Sequence, residues 1–158
     1  AFCAVWDELV CFPVKCRVSY EDSWMEERTY GGKRGHEGTD LMPPTNQRGF
    51  YPVFSATAGT VEHMGWLQKG GWRIGIRSEQ GGYFYYAHLS EYAPEMEEGK
   101  TVEAGEMLGY MGDSGYGEEG TVGQFAVHLH FGIYIQTADG QEVSVDPYWI
   151  LKGLEGEP

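Results

Sequence analysis

Residues 127–135 constrain the fold of this chain most strongly, because an apolar residue stands at every second position of the segment. Side chains of a β-strand point alternately to its two faces, so the segment is predicted to be a strand with one apolar face in the core. The other face then carries His128 and His130, about 7 Å apart along the strand. Gly132 follows them, and its small size is expected to leave space for a ligand or substrate. Two neighbouring imidazoles outside the core indicate a functional site.

Shorter runs of the same kind recur and end at glycines, of which the chain has 24. Residues 72–77 alternate in this way, and the double glycine at 81–82 predicts a turn into a second strand that holds His88. Residues 98–112 resemble the hairpins of biotinyl and lipoyl carrier domains in architecture only, because Lys100 is not flanked as the modified lysine of those domains is. We therefore expect a mainly β fold with antiparallel strands.

A chain of 158 residues is long enough for one sizeable core. We expect a single domain at residues 28–150, an N-terminal extension at residues 1–27, and a surface tail at residues 151–158. An odd number of cysteines allows one local disulfide and leaves at least one thiol over, so they do not form a disulfide framework for the domain. All of them lie near the start of the chain, as Cys3, Cys11 and Cys16.

The net charge of −13 argues against a nucleic-acid partner, because binding of a phosphate backbone depends on clustered lysines and arginines. No apolar run approaches the roughly 20 residues that span a bilayer, so direct membrane insertion is not expected. An acidic surface is otherwise explained by solvation, and the sequence carries no signal for an oligomeric state. The function must therefore be sought in the chemistry of particular side chains.

Four of the five histidines lie in three short segments, GHEGTDL, YYAHLS and VHLHFGIYI. In the first segment, the glycines at 35 and 38 and the two prolines that follow favour an extended chain over a helix. Extended backbone places His36, Gly38 and Asp40 on one face, and the small Gly38 keeps the space between the other two side chains open. The first segment thus offers an imidazole and a carboxylate to a common site.

His88 lies in the second segment, where strand alternation is expected to place it on one face with Phe84 and Tyr86. A single histidine on a strand is most often structural or merely exposed, and an isolated H-x-H or H-x-x-x-D pattern also arises by chance. His63, in TVEHMGW, has no partner motif and is interpreted as a surface or packing residue. Only the three segments taken together argue for a shared site.

Imidazole and carboxylate groups form a normal ligand set for zinc, and a catalytic zinc keeps three protein ligands with a fourth position for water. Bound zinc lowers the pKa of that water towards 7 and polarises a carbonyl group. A base for the proton of the water and a donor for the developing oxyanion complete amide hydrolysis. The three segments supply enough groups for this chemistry, but the spacing leaves open which histidine of the H-x-H pair binds the metal.

The order H-x-x-x-D, then H within Y-x-H-L, then H-x-H resembles the lysostaphin-type or LytM-type zinc endopeptidases, which cut peptide bonds in bacterial peptidoglycan. The similarity runs from about residue 28 to residue 149 and includes GHEGTDL, YYAHLS, VEAGEMLGYMGDSG, VHLHFGI and VDPYWI. The resemblance implies a LytM-like fold with a duplicated hybrid motif, in which the antiparallel sheet forms an open groove beside barrel-sandwich-like hairpins. It also implies peptidoglycan peptides as substrates and a location outside the cell or in the envelope.

The same resemblance implies one Zn²⁺ per chain and a role for each matching side chain. His88 and His128 would act on the water and stabilise the tetrahedral intermediate, and Tyr30 matches a tyrosine that the family uses near the oxyanion. The zinc ligands would be His36, Asp40 and His130.

Two other functions compete with that of a peptidoglycan endopeptidase. A non-catalytic or latent LytM-like module could regulate or scaffold envelope proteins, but such relatives typically lack one or more metal ligands, and all of the positions are filled here. A zinc D-alanyl carboxypeptidase or dipeptidase would have a longer H-to-D spacing and an E-x-x-H motif, and neither occurs. The endopeptidase is therefore the expected function.

The sequence departs from the family pattern in two segments, TNQRGFYP at 45–52 and YGEEGTVGQFAV at 116–127, both of which are longer than usual. Both are expected to border the groove and to influence which peptide is accepted. Glu118 and Glu119 in the second segment would repel acidic peptides or attract amino groups.

Overall fold

The computed structural model describes residues 2–29 and 34–155, and most of its regular structure is β. The strands are β1 (Glu27–Arg28), β2 (Arg34–Gly35), β3 (Thr39–Leu41), β4 (Pro52–Phe54), β5 (Gly59–Leu67), β6 (Gly71–Arg77), β7 (Tyr83–Tyr92), β8 (Thr101–Val102), β9 (Met107–Met111), β10 (Leu129–Gln136) and β11 (Glu142–Val145). Two helices flank them, α1 (Phe2–Glu8) and α2 (Tyr148–Glu155).

One antiparallel sheet of nine strands forms the body of the protein, with the order β11-β10-β7-β6-β5-β8. Strand β3 pairs with β10, and β9 joins β4 to β7, while β1 and β2 form a separate pair. The path ends at β11 on one side and at β8 on the other, so the sheet is open. The mainly β antiparallel fold expected from the sequence is confirmed, including the hairpin of β6 and β7 around the double glycine.

Strand β10 lies at the centre of the functional half of the sheet, between β7 and β11, and β3 also pairs with its first residues. Its alternation agrees with the prediction, because Leu129, Phe131 and Ile133 are fully buried in the core. Burial of each such side chain contributes roughly 1.5–3 kcal/mol to folding. His130 points to the opposite face, and His128 lies just before the strand begins.

Strand β7 contains a β-bulge, because between Tyr86 and Leu89 it has two residues where β6 has one. These two residues are Ala87 and His88, and His88 has a φ of 65°. His88 therefore turns to the face opposite the core, whereas Phe84 and Tyr86 are fully buried. The expectation that the three side chains share a face is wrong, because the extra residue shifts the alternation by one position.

Both ends of the described chain pack on the domain. In the segment expected as an N-terminal extension, Val5, Leu9 and Val14 are buried in the main core. In the segment expected as a surface tail, Leu151 belongs to α2 and is fully buried, so it packs rather than projecting into solvent. The domain limits at residues 28 and 150 stay predictions.

The thiols of Cys11 and Cys16 are free, so these two cysteines do not form the local disulfide that the sequence allowed. Neither α1 nor α2 is long and apolar enough to cross a bilayer, and the described residues contain no other helix.

Candidate active site

His36, Asp40 and His130 bring three ligand atoms together on the face of the sheet opposite the core. Oδ1 of Asp40 lies 3.1 Å from Nε2 of His36 and 3.1 Å from Nδ1 of His130, and the two nitrogens are 3.2 Å apart. In a tetrahedral zinc site with bonds of about 2.0–2.1 Å, neighbouring ligand atoms are about 3.3 Å apart. The donor types and their separations therefore fit one zinc ion.

The register of β3 and β10 sets this arrangement, because Asp40 and His130 are direct cross-strand partners. Gly38 completes it by having no side chain. A Cβ atom at Gly38 would lie 2.8 Å from the imidazole of His130 and 2.6 Å from the carbonyl oxygen of Phe131. The space expected beside Gly38 is thus occupied by His130, the third candidate ligand.

Gly132 has a different role from the one expected. A Cβ atom there would lie 3.1 Å from the carbonyl oxygen of Glu37 and 3.3 Å from the ring of Tyr134. Its small size accommodates the chain between β2 and β3, so the expectation of free space for a ligand at this position is wrong.

Asp40 is held in its ionised form. Burial raises the pKa of its carboxyl group, but the interactions of the carboxylate with the imidazoles of His130, His36 and His128 outweigh burial and keep the pKa well below its usual value. An ionised carboxylate is the form that binds metal, so Asp40 is ready to act as a ligand at neutral pH.

Ser23 orients His36 from the segment expected as an extension. Nδ1 of His36 lies 3.2 Å from the carbonyl oxygen of Ser23 and 3.1 Å from its hydroxyl oxygen. A carbonyl oxygen can only accept, so Nδ1 carries the hydrogen and Nε2 presents its lone pair to the metal position. Sequence reasoning missed Ser23, because no motif marks a serine 13 residues before the ligand it orients.

His88 and His128 lie beside the three ligands and are oriented in the same manner as each other. Nδ1 of His88 donates a hydrogen bond to the carbonyl oxygen of Ser114 at 2.7 Å, and Nδ1 of His128 donates one to that of Ala126 at 2.8 Å. Each Nε2 is therefore free to accept a proton. Nε2 of His128 is 3.7 Å from Oδ1 of Asp40. The ring centres of His88 and His128 are 4.8 Å apart.

Both of these histidines are neutral at pH 7. Burial is the main cause that lowers the pKa of His88, well below its usual value, and the neighbouring His128 and His130 add to the effect. Burial also lowers the pKa of His128 and outweighs the opposing effect of Asp40. Two neutral imidazoles with accepting Nε2 atoms can take a proton from a molecule bound in the site.

Aromatic rings from the 116–127 segment cover the two histidines. The ring of Phe125 is 4.5 Å from that of His88 and 5.1 Å from that of His128, and Tyr116 packs against Phe125 at 4.9 Å. Glu118 and Glu119 are exposed and do not line the cleft. The segment borders the groove as expected, but through aromatic side chains rather than acidic ones.

The 45–52 segment braces the backbone that holds the histidines. The guanidinium of Arg48 donates two hydrogen bonds, of 2.6 and 3.0 Å, to the buried carboxylate of Asp113, the residue before Ser114. The side-chain oxygen of Asn46 accepts a hydrogen bond of 2.7 Å from the backbone nitrogen of Val127. Neither contact had a signal in the sequence, because each joins two loops.

A cleft of about 700 Å³ opens over the site. All five predicted ligands and histidines line it: His36, Asp40, His88, His128 and His130. Tyr30 lies outside the described residues. His63 is exposed and does not line the cleft, and its Nδ1 lies 3.0 Å from the hydroxyl of Tyr83, in agreement with its interpretation as a surface or packing residue.

Comparison with known proteins gives matches along most of the chain. A family model described as Peptidase family M23 matches residues 34–147, which contain all five of these side chains. An L-Ala–D-Glu endopeptidase of Bacillus subtilis is 43% identical over 143 residues, which are 90% of this chain and 42% of that protein. The chain thus spans about two fifths of the length of this relative.

The fold of this chain also matches solved structures. A Ruminococcus gnavus protein, named as a candidate glycyl-glycine endopeptidase LytM, superposes with a TM-score of 0.87 at 57% identity, over 96% of this chain and 62% of that chain. The catalytic domain of lysostaphin, an antimicrobial peptidase of Staphylococcus simulans, superposes with a TM-score of 0.64 at 27% identity, over 85% of this chain and 92% of that chain.

Proposed function

Because this chain belongs to peptidase family M23, we propose that it is a zinc-dependent endopeptidase that hydrolyses peptide bonds in bacterial peptidoglycan. The observation that carries the proposal is the convergence of three zinc-compatible donors and two neutral histidines in one cleft. The peptides would come from the stem or the cross-bridge, as the names of the relatives suggest. Since peptidoglycan lies outside the cytoplasmic membrane, we also propose an extracellular or envelope location.

His36, Asp40 and His130 would hold the metal ion through Nε2, Oδ1 and Nδ1. Zinc in that position would supply a water of lowered pKa and polarise the scissile carbonyl. All of the five side chains are present in the described residues, so no observation favours the non-catalytic module considered from the sequence.

The remaining steps belong to His88 and His128. Nε2 of His128 lies 3.7 Å from Oδ1 of Asp40 and is suited to accept the proton of the attacking water. The resulting imidazolium can return that proton to the leaving amine. His88, 4.8 Å from His128 between ring centres, can take part in the same transfer or, when protonated, donate to the developing oxyanion. The aromatic cover from Phe125 limits the access of other water to both rings.

The test is the release of new amino groups from purified peptidoglycan, followed by identification of the new N-terminal residues. We expect release with zinc added, its loss on treatment with a chelator, and its return when zinc is restored. The new N-terminus shows whether the cut lies in the stem or the cross-bridge. Absence of release from several wall types by protein that carries stoichiometric zinc would contradict the proposal.

Arg48 is predicted to be a positioning residue for this reaction. Arg48→Gln removes the paired hydrogen bonds from the guanidinium to Asp113. The neighbouring carbonyl of Ser114, which orients His88, is then held less firmly in position. We expect kcat to fall by about 10- to 100-fold, the usual effect of losing an outer-shell partner, while KM and zinc content change little. Steady-state kinetics and metal analysis test this. Arg17→Gln makes the same substitution at an exposed position, and an equal loss of kcat in that variant would refute the specific role of Arg48.

A further inference from the structure

Positive charge is concentrated in the cleft of a protein whose overall charge is strongly negative. Four of the 11 lysines and arginines line the cleft, whereas only three of the 24 acidic residues do so among the residues that the structure describes. The four basic residues are Arg28, Arg34, Lys69 and Arg73. The three acidic residues are Glu37, Asp40 and Glu142.

Each of the three acidic side chains already has a partner. Asp40 belongs to the ligand group, Glu37 accepts a hydrogen bond of 3.2 Å from the hydroxyl of Tyr134, and Glu142 forms an ion pair with Arg77. By contrast, no carboxylate of the described chain lies within 4.0 Å of the side-chain nitrogens of Arg28, Lys69 or Arg73. The cleft therefore presents cations whose counter-charge the described protein does not supply.

Arg73 is fixed on the floor of the cleft. It lies on β6, and its Nη1 donates to the carbonyl oxygen of Met64, which leaves the other guanidinium hydrogens for a ligand. Tyr85 lines the same cleft as Arg73. Tyr85 in turn contacts the ring of His130 at 5.8 Å.

Arg34 lines the cleft from a different strand. It lies on β2, two residues before His36, and its Nη2 donates to the hydroxyl of Tyr116 at 3.4 Å. The ring of Tyr116 is 6.2 Å from that of His88. Basic groups thus reach the cleft from two different strands, β2 and β6.

We propose that the cleft selects peptides that carry a free carboxylate beside the scissile bond, and that Arg73 and Arg28 are specificity-determining residues for that carboxylate. Guanidinium groups bind carboxylates through two parallel hydrogen bonds, one to each oxygen. A peptide without a free carboxylate lacks this pair of charged oxygens. An acidic residue such as glutamate next to the bond satisfies this requirement, and a peptide made of glycine alone does not. The inference rests on the proposed function, because it assumes that a peptide occupies the cleft.

Two synthetic peptides that contain L-alanyl-D-glutamate provide the test. They are identical except that the free glutamate carboxylate of the first is a carboxamide in the second. Binding is measured by titration calorimetry with zinc-supplemented His128→Ala protein, which prevents turnover, and hydrolysis is measured separately with the unmodified protein. We expect the carboxylate peptide to bind at least about tenfold more tightly, as charge-assisted hydrogen bonds predict.

That preference is expected to fall below about threefold when Arg73→Gln or Arg28→Gln is added, and to persist with Arg17→Gln, which has the same charge change at an exposed position. It should also shrink in about 1 M salt, where the Debye length is about 3 Å. Equal binding of both peptides, or a preference that survives both cleft variants, overturns the inference. Hydrolysis without a binding preference leaves the peptidase proposal intact, whereas a binding preference without hydrolysis of any peptide supports the inference and contradicts the peptidase.

Discussion

Asp40→Asn is expected to weaken zinc binding by at least about 100-fold and to abolish peptidase activity. Loss of a residue that only orients a metal ligand costs up to about 100-fold, and loss of a ligand itself should cost at least as much. The carboxylate of Asp40 is the anionic member of the ligand group, and its Oδ1 lies within hydrogen-bond distance of both ligand histidines. Asparagine has nearly the same shape but carries no charge, so the substitution tests the chemistry of the ligand rather than its packing.

Metal analysis after dialysis, together with release of amino groups from peptidoglycan, measures both effects. Asp7→Asn is the matched control, because Asp7 lies exposed on α1 and the change removes one negative charge outside the cleft lining. Circular dichroism verifies that both variants are folded. Stoichiometric zinc and normal activity in Asp40→Asn would show that Asp40 is not a ligand of the zinc.

His128→Gln is expected to keep its zinc and to lower kcat by about 100- to 10,000-fold, the usual contribution of a general base. Glutamine fills a similar volume and can still donate to the carbonyl of Ala126, but it cannot accept a proton at neutral pH. Binding of the peptide does not depend on that proton, so KM is expected to change little.

Zinc content distinguishes His128→Gln from a variant that has lost a metal ligand. His130→Gln removes Nδ1 from the ligand group and should lose the metal, whereas His128→Gln should retain it. His63→Gln is the matched histidine control outside the cleft and should behave as the unmodified protein does. Loss of zinc in His128→Gln would exchange the roles assigned to the two histidines of the H-x-H pair.

The parts of the site that could be predicted from the sequence are those that regular strands position. Alternation along residues 127–135 placed His130 on the face opposite the core, and the antiparallel pairing of β3 with β10 set it against Asp40. His88 could not be oriented in this way, because alternation fails at a bulge and no residue type in YYAHLS marks the positive φ. The family resemblance identified His88 where the strand pattern misplaced it.

The residues that support the site were beyond prediction for another reason. Ser23, Asn46 and Arg48 act through contacts between segments that are distant along the chain, and such contacts leave no local spacing to recognise. The same applies to Arg73 and Arg28, which the fold brings to one cleft from β6 and β1. The net charge, read alone, even pointed away from a basic cleft.

The partners that fix the hydrogen on His88 and His128 are main-chain carbonyl groups, those of Ser114 and Ala126. Every amino acid supplies such a carbonyl, so no substitution of a side chain at those two positions deletes the acceptor itself. The link between them can therefore acquire new residues and insertions during evolution, provided that its two ends keep their course. In the proposed peptidase, changes in the link would therefore leave both acceptors in place, which makes the link a suitable target for directed evolution of new specificities.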